Sequence, residues 1–242
     1  DELALKLAHE FWERREDFVF VTETYKPKEA LEKALEYAKK KDIPVYISDS
    51  GDNPTAGASS DNTEFLKLIL ENEDVKALEK SLIYGGFYDP EAATFCRGKV
   101  GEKINLTFGS KFDKDSSTSI TKEVLVKSYL EDYKYANMFV GALALVSIGN
   151  VDIVLSENHV GFTDPQMFRE LGLSPEEHPI IVCKLGYLTP GHKELAKRSI
   201  LALTKGNTNE DLETIEFKLI KRVSNLEVLQ EVFLLPFMNF ML

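Results

Sequence analysis

Residues 43–64, IPVYISDSGDNPTAGASSDNTE, constrain the fold more than any other stretch. The apolar run Ile43–Ile47 predicts a buried strand. It breaks into a loop of Asp, Ser, Gly, Asn and Pro from Asp49 to Ser60. A helix is then predicted to start with Asp61 as N-cap and Glu64 three residues on, a capping-box spacing. This strand-loop-helix unit puts the loop at the carboxyl end of its strand, where open α/β sheets bind ligands. Upstream, Lys26–Lys41 predicts a helix with Pro27 in its first turn and Ala30, Leu31, Ala34, Leu35 and Ala38 on one face. The short link Lys40-Lys41-Asp42 joins it to the strand, as in an α/β unit.

The same grammar returns downstream. Ser81–Tyr84 predicts a strand, Gly85-Gly86 a loop, and Glu91–Cys96 a helix behind Asp89-Pro90, read as an N-cap with proline at the first helical position. From Ile104 the apolar period becomes two: Ile104, Leu106 and Phe108, then Val124, Val126 and Tyr129. The apolar runs Phe139–Ile148 and Val151–Ser156 flank Gly149-Asn150, a hairpin signal. Residues 100–156 therefore read as a β-rich subdomain. Pro179–Lys184 reads as a buried strand with Lys184 at its carboxyl end, and Lys193–Leu203 as a further helix. The first sixteen residues read as an amphipathic helix. The expected fold class is α/β: a mixed sheet of strand-loop-helix units with an antiparallel β portion in the middle third.

Composition narrows the partners. A chain of 242 residues, 43% hydrophobic, can bury a substantial core. A net charge of −11 and a pI near 5.0 argue against a nucleic-acid surface and against an anionic membrane. No apolar run reaches spanning length, and Cys96 and Cys183 stand in apolar context as free buried thiols, so a reducing cytoplasm is the expected location. The chain opens on Asp1 rather than Met, which suggests that residues precede it.

Asp49, Asp52 and Asp61 give the loop three carboxylates, which would repel a phosphate, and no phosphate-loop signature is present. Gly51, Gly57 and Ala58 allow close approach of a ligand or another backbone. The bland reading is a surface loop with helix-capping aspartates. His9, His159, His178 and His192 do not pair at ligand spacing, and His9-Glu10 is only half of an H-E-x-x-H zinc motif. Lys184 reads equally as a functional cation and as a snorkelling end-of-strand lysine. His192 reads as a solvent-exposed helix start.

Ser48–Thr63 resembles the D-N-P-x-x-G-A-x-x-D-x-T signature of the C-terminal domain of microcystinase C-like (MlrC) proteins, peptidase family M81. Phe162–Leu173, FTDPQMFRELGL, resembles that domain's F-D-P-x-x-F-R-x-L-G-I segment, and the strand ending in Lys184 follows in the same order. The resemblance runs from about Ala8 to about Leu219, so residues 1–242 would be one MlrC-like C-terminal domain. It implies a zinc-dependent metallopeptidase or amidohydrolase-like protein. The zinc would sit on an N-terminal metal-binding domain outside this chain, with no catalytic or metal-ligating residue here. The domain would complete the cleft for a small peptide or amide substrate and be inactive alone. Asp49, Asp52, Asn53, Gly57, Ala58, Asp61 and Lys184 would be substrate-binding. Asp52 and Asn53 would hold the loop or meet polar groups, Gly57 and Ala58 would offer backbone donors, and Lys184 would face a carboxylate or oxyanion. Homo-oligomer formation stays open. The chain departs from the family at Gly186–His192, where an H-F-R-like segment is usual, and in its apolar tail Val228–Leu242. Two other readings stand: a stand-alone binding or partner subunit without catalysis, and a Mg²⁺ or Ca²⁺ enzyme using Asp49, Asp52 and Asp61.

Overall fold

The computed structural model describes residues 2–215, which divide into two units. The tail Val228–Leu242 lies outside the described residues. In the first unit, α1 (Glu2–Glu13) is an amphipathic helix, as its pattern predicts, with no buried residue. The second unit, Thr22–Asp211, contains the sheet.

In chain order its elements begin with β1 (Glu23–Tyr25), α2 (Pro27–Lys39), β2 (Val45–Asp49), α3 (Glu64–Glu71) and α4 (Glu73–Lys76). Next come β3 (Leu82–Tyr88), α5 (Pro90–Phe95), β4 (Lys103–Phe108), β5 (Ile120–Tyr135), β6 (Met138–Ile148) and β7 (Val151–Ser156). The unit closes with α6 (Gln166–Arg169), β8 (Ile180–Cys183), α7 (Pro190–Leu195) and β9 (Arg198–Ala202). The described strands form one sheet in the order β1-β9-β2-β8-β3-β7-β6-β5-β4. The pairings from β1 through to β7 are parallel, and β7-β6, β6-β5 and β5-β4 are antiparallel. The β-rich stretch therefore continues the same sheet, and Gly149-Asn150 turns β6 into β7 with Gly149 at φ +55°.

Both faces of the parallel portion are covered, so its strands are apolar throughout. On one face α2 lays Ala30, Leu31, Ala34, Leu35 and Ala38 over a cluster that includes Val45, Ile47, Tyr84, Val182 and Ile200. On the other face Tyr46, Ile83, Ile181 and Cys183 meet Phe162, Met167 and Phe168. Cys96 and Cys183 are free and buried. No helix of the described residues is long and apolar enough to cross a membrane.

Several boundaries differ from the pattern reading. Pro44 has no N–H for a ladder, and β2 starts at Val45 and runs on to Asp49. Gly85 and Gly86 are not a loop but lie inside β3, where the register against β7 shifts between Tyr84 and Phe87. Gly86 takes φ +96° at this bulge. A Cβ on Gly85 would lie 2.5 Å from Phe168 Cζ, so the strand is glycine here because an aromatic ring occupies the space. The helix expected over Lys193–Leu203 is two elements: α7 stops at Leu195, and Arg198–Ala202 is β9, wedged between β1 and β2. Its run Ile200-Leu201-Ala202 is buried, which fits an interior parallel strand better than one face of a helix.

Candidate functional site

Four parallel strands, β2, β3, β8 and β9, direct their carboxyl ends to one rim, and the Asp49–Asn62 loop lies there. Lys184, one residue beyond β8, is fully buried, not snorkelling. Its Nζ donates to Asp49 Oδ2 at 3.0 Å, to Asp52 Oδ2 at 2.8 Å and to the Asn62 carbonyl at 2.9 Å, using all three of its donors. The ammonium also lies 4.3 Å from the Phe87 ring centre. Burial alone would lower its pKa, but the carboxylates of Asp49 and Asp52 more than reverse this and hold it above the ordinary value of 10.5.

The carboxylates are as fully engaged. Asp49 accepts from the Tyr84 hydroxyl at 2.6 Å and from the Thr204 hydroxyl. Asp52 accepts from the amides of Ser60 at 2.7 Å and Asn62 at 2.8 Å. Burial pushes the Asp52 carboxyl up from its usual range, and Lys184 pulls against that. Asp61 is not the helix cap. It is buried and accepts from the amides of Phe112 at 2.7 Å and Asp113 at 3.2 Å, pinning the segment between β4 and β5. The α3 helix has Thr63 at its N-cap position, and the Glu64 amide goes to Asn62 Oδ1 at 3.0 Å. Replacing Asp61 by alanine leaves those two amides without acceptors. The expected cost is about 1–3 kcal/mol, and the check is faster hydrogen exchange at Phe112 and Asp113.

The glycine turn is shaped by its own backbone. Gly57 takes φ +95°, its amide bonds Pro54 O at 3.2 Å, and the Ala58 amide bonds Asn53 O at 3.1 Å. Both donors expected to face a ligand are thus used within the loop. His159 Nε2 donates to the Ala58 carbonyl at 2.7 Å. Asn53 accepts from Thr55 N at 3.0 Å through Oδ1, while its Nδ2 bonds no group of the described residues. The exposed crest is Thr55, Ala56 and Gly57. Beside it Phe112, 56% exposed, stacks on Tyr88 at 4.9 Å.

Two residues were misplaced or missed by pattern. His192 is buried, not an exposed helix start: its Nε2 donates to Phe162 O at 2.9 Å, and burial lowers its pKa. Glu210 comes to the rim beside Asn53 and Gly186 from a polar stretch, KGNTNED, that carries no motif.

A metal needs free, deprotonated ligand atoms. Asp49, Asp52 and Asp61 instead hold a lysine, hydroxyls and amides, which does not fit zinc, Mg²⁺ or Ca²⁺. Among the described residues no group of three His, Cys, Asp or Glu is placed to hold a metal ion. A cavity of about 310 Å³ lies at the opposite, amino ends of the strands, floored by Ala38, Ile43, Leu78 and Pro179. Its rim charges pair off as Lys39–Asp74, Lys41–Glu79 and Lys80–Glu177, leaving it without convergent unpaired polar groups.

Microcystinase C of Sphingomonas sp is 25% identical over 187 residues, covering 75% of this chain and 36% of that protein. The chain thus spans little more than a third of that relative. The crystal structure of a candidate metallopeptidase from Mesorhizobium sp. BNC1 superposes with a TM-score of 0.72 at 17% identity, over 91% of this chain and 44% of that one, which supports the fold. The family model described as MlrC C-terminus matches residues 47–219, from the end of β2 through the Lys184 strand and β9. The chain belongs to the MlrC C-terminus family.

Proposed function

We propose that this domain forms the substrate side of a zinc-dependent metallopeptidase or amidohydrolase-like protein, which hydrolyses an amide bond in a small peptide. The zinc is held on an N-terminal domain of the longer protein, and this domain alone is inactive. One observation carries the reading: the rim loop is fixed from beneath by a buried charge cluster, while the Thr55–Gly57 crest is exposed above it and Asn53 is 9% exposed at its edge. A catalytic cleft needs its substrate-positioning groups held to a fraction of an ångström. In this scheme Asp49, Asp52, Asp61 and Lys184 position the loop, Gly57 and Ala58 give it shape, and Asn53 meets the substrate.

The test compares the full-length protein with residues 1–242 by zinc analysis and by hydrolysis of short peptides. Zinc and turnover are expected in the first and neither in the second. Stoichiometric zinc on the 242-residue chain alone sinks the proposal, and so does a full-length protein without peptidase activity. The latter result favours a binding or partner subunit, which the same rigid loop would suit.

A further inference from the structure

Among the described residues, Asn53 and Glu210 are two rim groups with hydrogen-bonding atoms left over after the loop is assembled. The Asn53 orientation is fixed by the Thr55 amide, which needs an acceptor and so identifies Oδ1. Nδ2 is then a donor with no partner among the described residues, on a residue only 9% exposed. Glu210 is partly buried and makes no ion pair or hydrogen bond with another described residue. Burial raises its pKa. Unpaired, partly desolvated carboxylates are uncommon in purely structural settings.

The two meet over Gly186. A Cβ on Gly186 would lie 3.5 Å from Asn53 Nδ2 and 3.6 Å from Glu210 Oε1. One donor and one acceptor therefore flank a single spot, with bare backbone between them. The residues arrive from three places: the D-N-P loop, the segment after β8 and the segment after β9. Thr208, two residues before Glu210, donates its amide to Gly51 O at 2.9 Å and accepts from the Asn53 amide at 3.1 Å, which couples the two side chains.

A paired donor and acceptor match a residue of an extended peptide, which turns its own C=O and N–H to the same side, as in a strand pair. We propose that Asn53 and Glu210 form a two-point clamp on the backbone of one substrate residue, with Nδ2 donating to its carbonyl and Glu210 accepting its N–H. This deepens the peptidase reading and depends on it for the identity of the ligand. The contact reads main chain rather than side chain, so the clamp sets position and tolerates different residues at that place.

The experiment titrates full-length protein with N-acetyl-tetra-alanine amide and with versions N-methylated at one residue in turn. One methylation is expected to weaken binding about tenfold or more, the effect of losing a hydrogen bond to a charged group. Glu210→Ala should bind the unmethylated peptide about as weakly, and the same methylation should then add nothing. Asn53→Asp keeps the oxygen that holds Thr55 but replaces the donor with an acceptor, and it should also bind weakly. Glu210 bonds no other described residue, so its variant should melt as the wild type does. The clamp is overturned if Glu210→Ala binds like wild type, if its methylation penalty persists, or if no peptide of the series binds. Clamp-dependent binding without amide hydrolysis sinks the peptidase reading alone; hydrolysis indifferent to Glu210 sinks the clamp alone.

Discussion

Replacing Lys184 by methionine should destabilise the fold by about 3–5 kcal/mol, the range seen when one partner of a buried ion pair is removed. Methionine keeps much of the apolar stem and deletes the ammonium. It leaves Asp49 and Asp52 facing each other, 2% and 0% exposed, with no cation between them. Their remaining donors, the Tyr84 and Thr204 hydroxyls and the amides of Ser60 and Asn62, do not neutralise two charges. Urea unfolding reads the loss directly. A second replacement, Asp52→Asn in the Lys184→Met background, should recover part of it, because one of the orphaned charges is gone. A Lys184→Met protein within about 1 kcal/mol of wild type would show that the cluster does not hold the loop. The pH dependence has a definite sign. A lysine whose folded pKa is raised contributes stability that is fully present below its unfolded value and lost as pH rises through the folded one. The melting difference between wild type and Lys184→Met should therefore shrink as pH rises above about 10.5.

That cluster also shows what a single sequence can and cannot reveal. The strand before Asp49, the cap at Asp89-Pro90 and the hairpin at Gly149-Asn150 are local events, set by residues within a few positions of one another. The position of Lys184 at a strand end was equally readable. Its partners were not, because Asp52 lies 132 residues earlier and the two meet only through the pairing of β2 with β8. The order of strands in a parallel sheet is a global outcome with no short-range signature. Misreading Arg198–Ala202 as helix had a related cause: interior parallel strands lack alternation, and periodicity alone does not separate them from buried helix. Asp61 was misassigned because a capping-box spacing is satisfied by coincidence when the carboxylate finds amides in another segment. Glu210 left no trace because its significance comes from what it does not bond.

Gly51 illustrates a glycine whose purpose is close approach rather than unusual backbone angles, and Gly51→Ala should cost more than Gly57→Ala in the same loop. A Cβ on Gly51 would sit 2.1 Å from the Thr204 carbonyl oxygen and 2.6 Å from its carbon. Both are main-chain atoms, so no rotamer change can relieve the overlap, and the Thr204–Thr208 segment must move away. That segment is fastened to the loop by Gly51 N to Thr204 Oγ1 at 2.8 Å, Thr208 N to Gly51 O at 2.9 Å and Thr208 Oγ1 to Ser50 O at 2.8 Å. Overpacking typically costs about 1–3 kcal/mol, and breaking these bonds puts Gly51→Ala at or above the top of that range. At Gly57 a Cβ meets nothing within 4 Å, and the only penalty is the φ of +95°, of the order of 1 kcal/mol. Urea unfolding of the two variants should separate them by at least about 1 kcal/mol. The peptide titration should separate them further: displacing Thr208 carries Glu210 away from Asn53, so Gly51→Ala loses the methylation-sensitive contact, whereas Gly57→Ala keeps it. Equal stability losses in the two variants would mean that the segment after β9 is not held to the loop as the distances require.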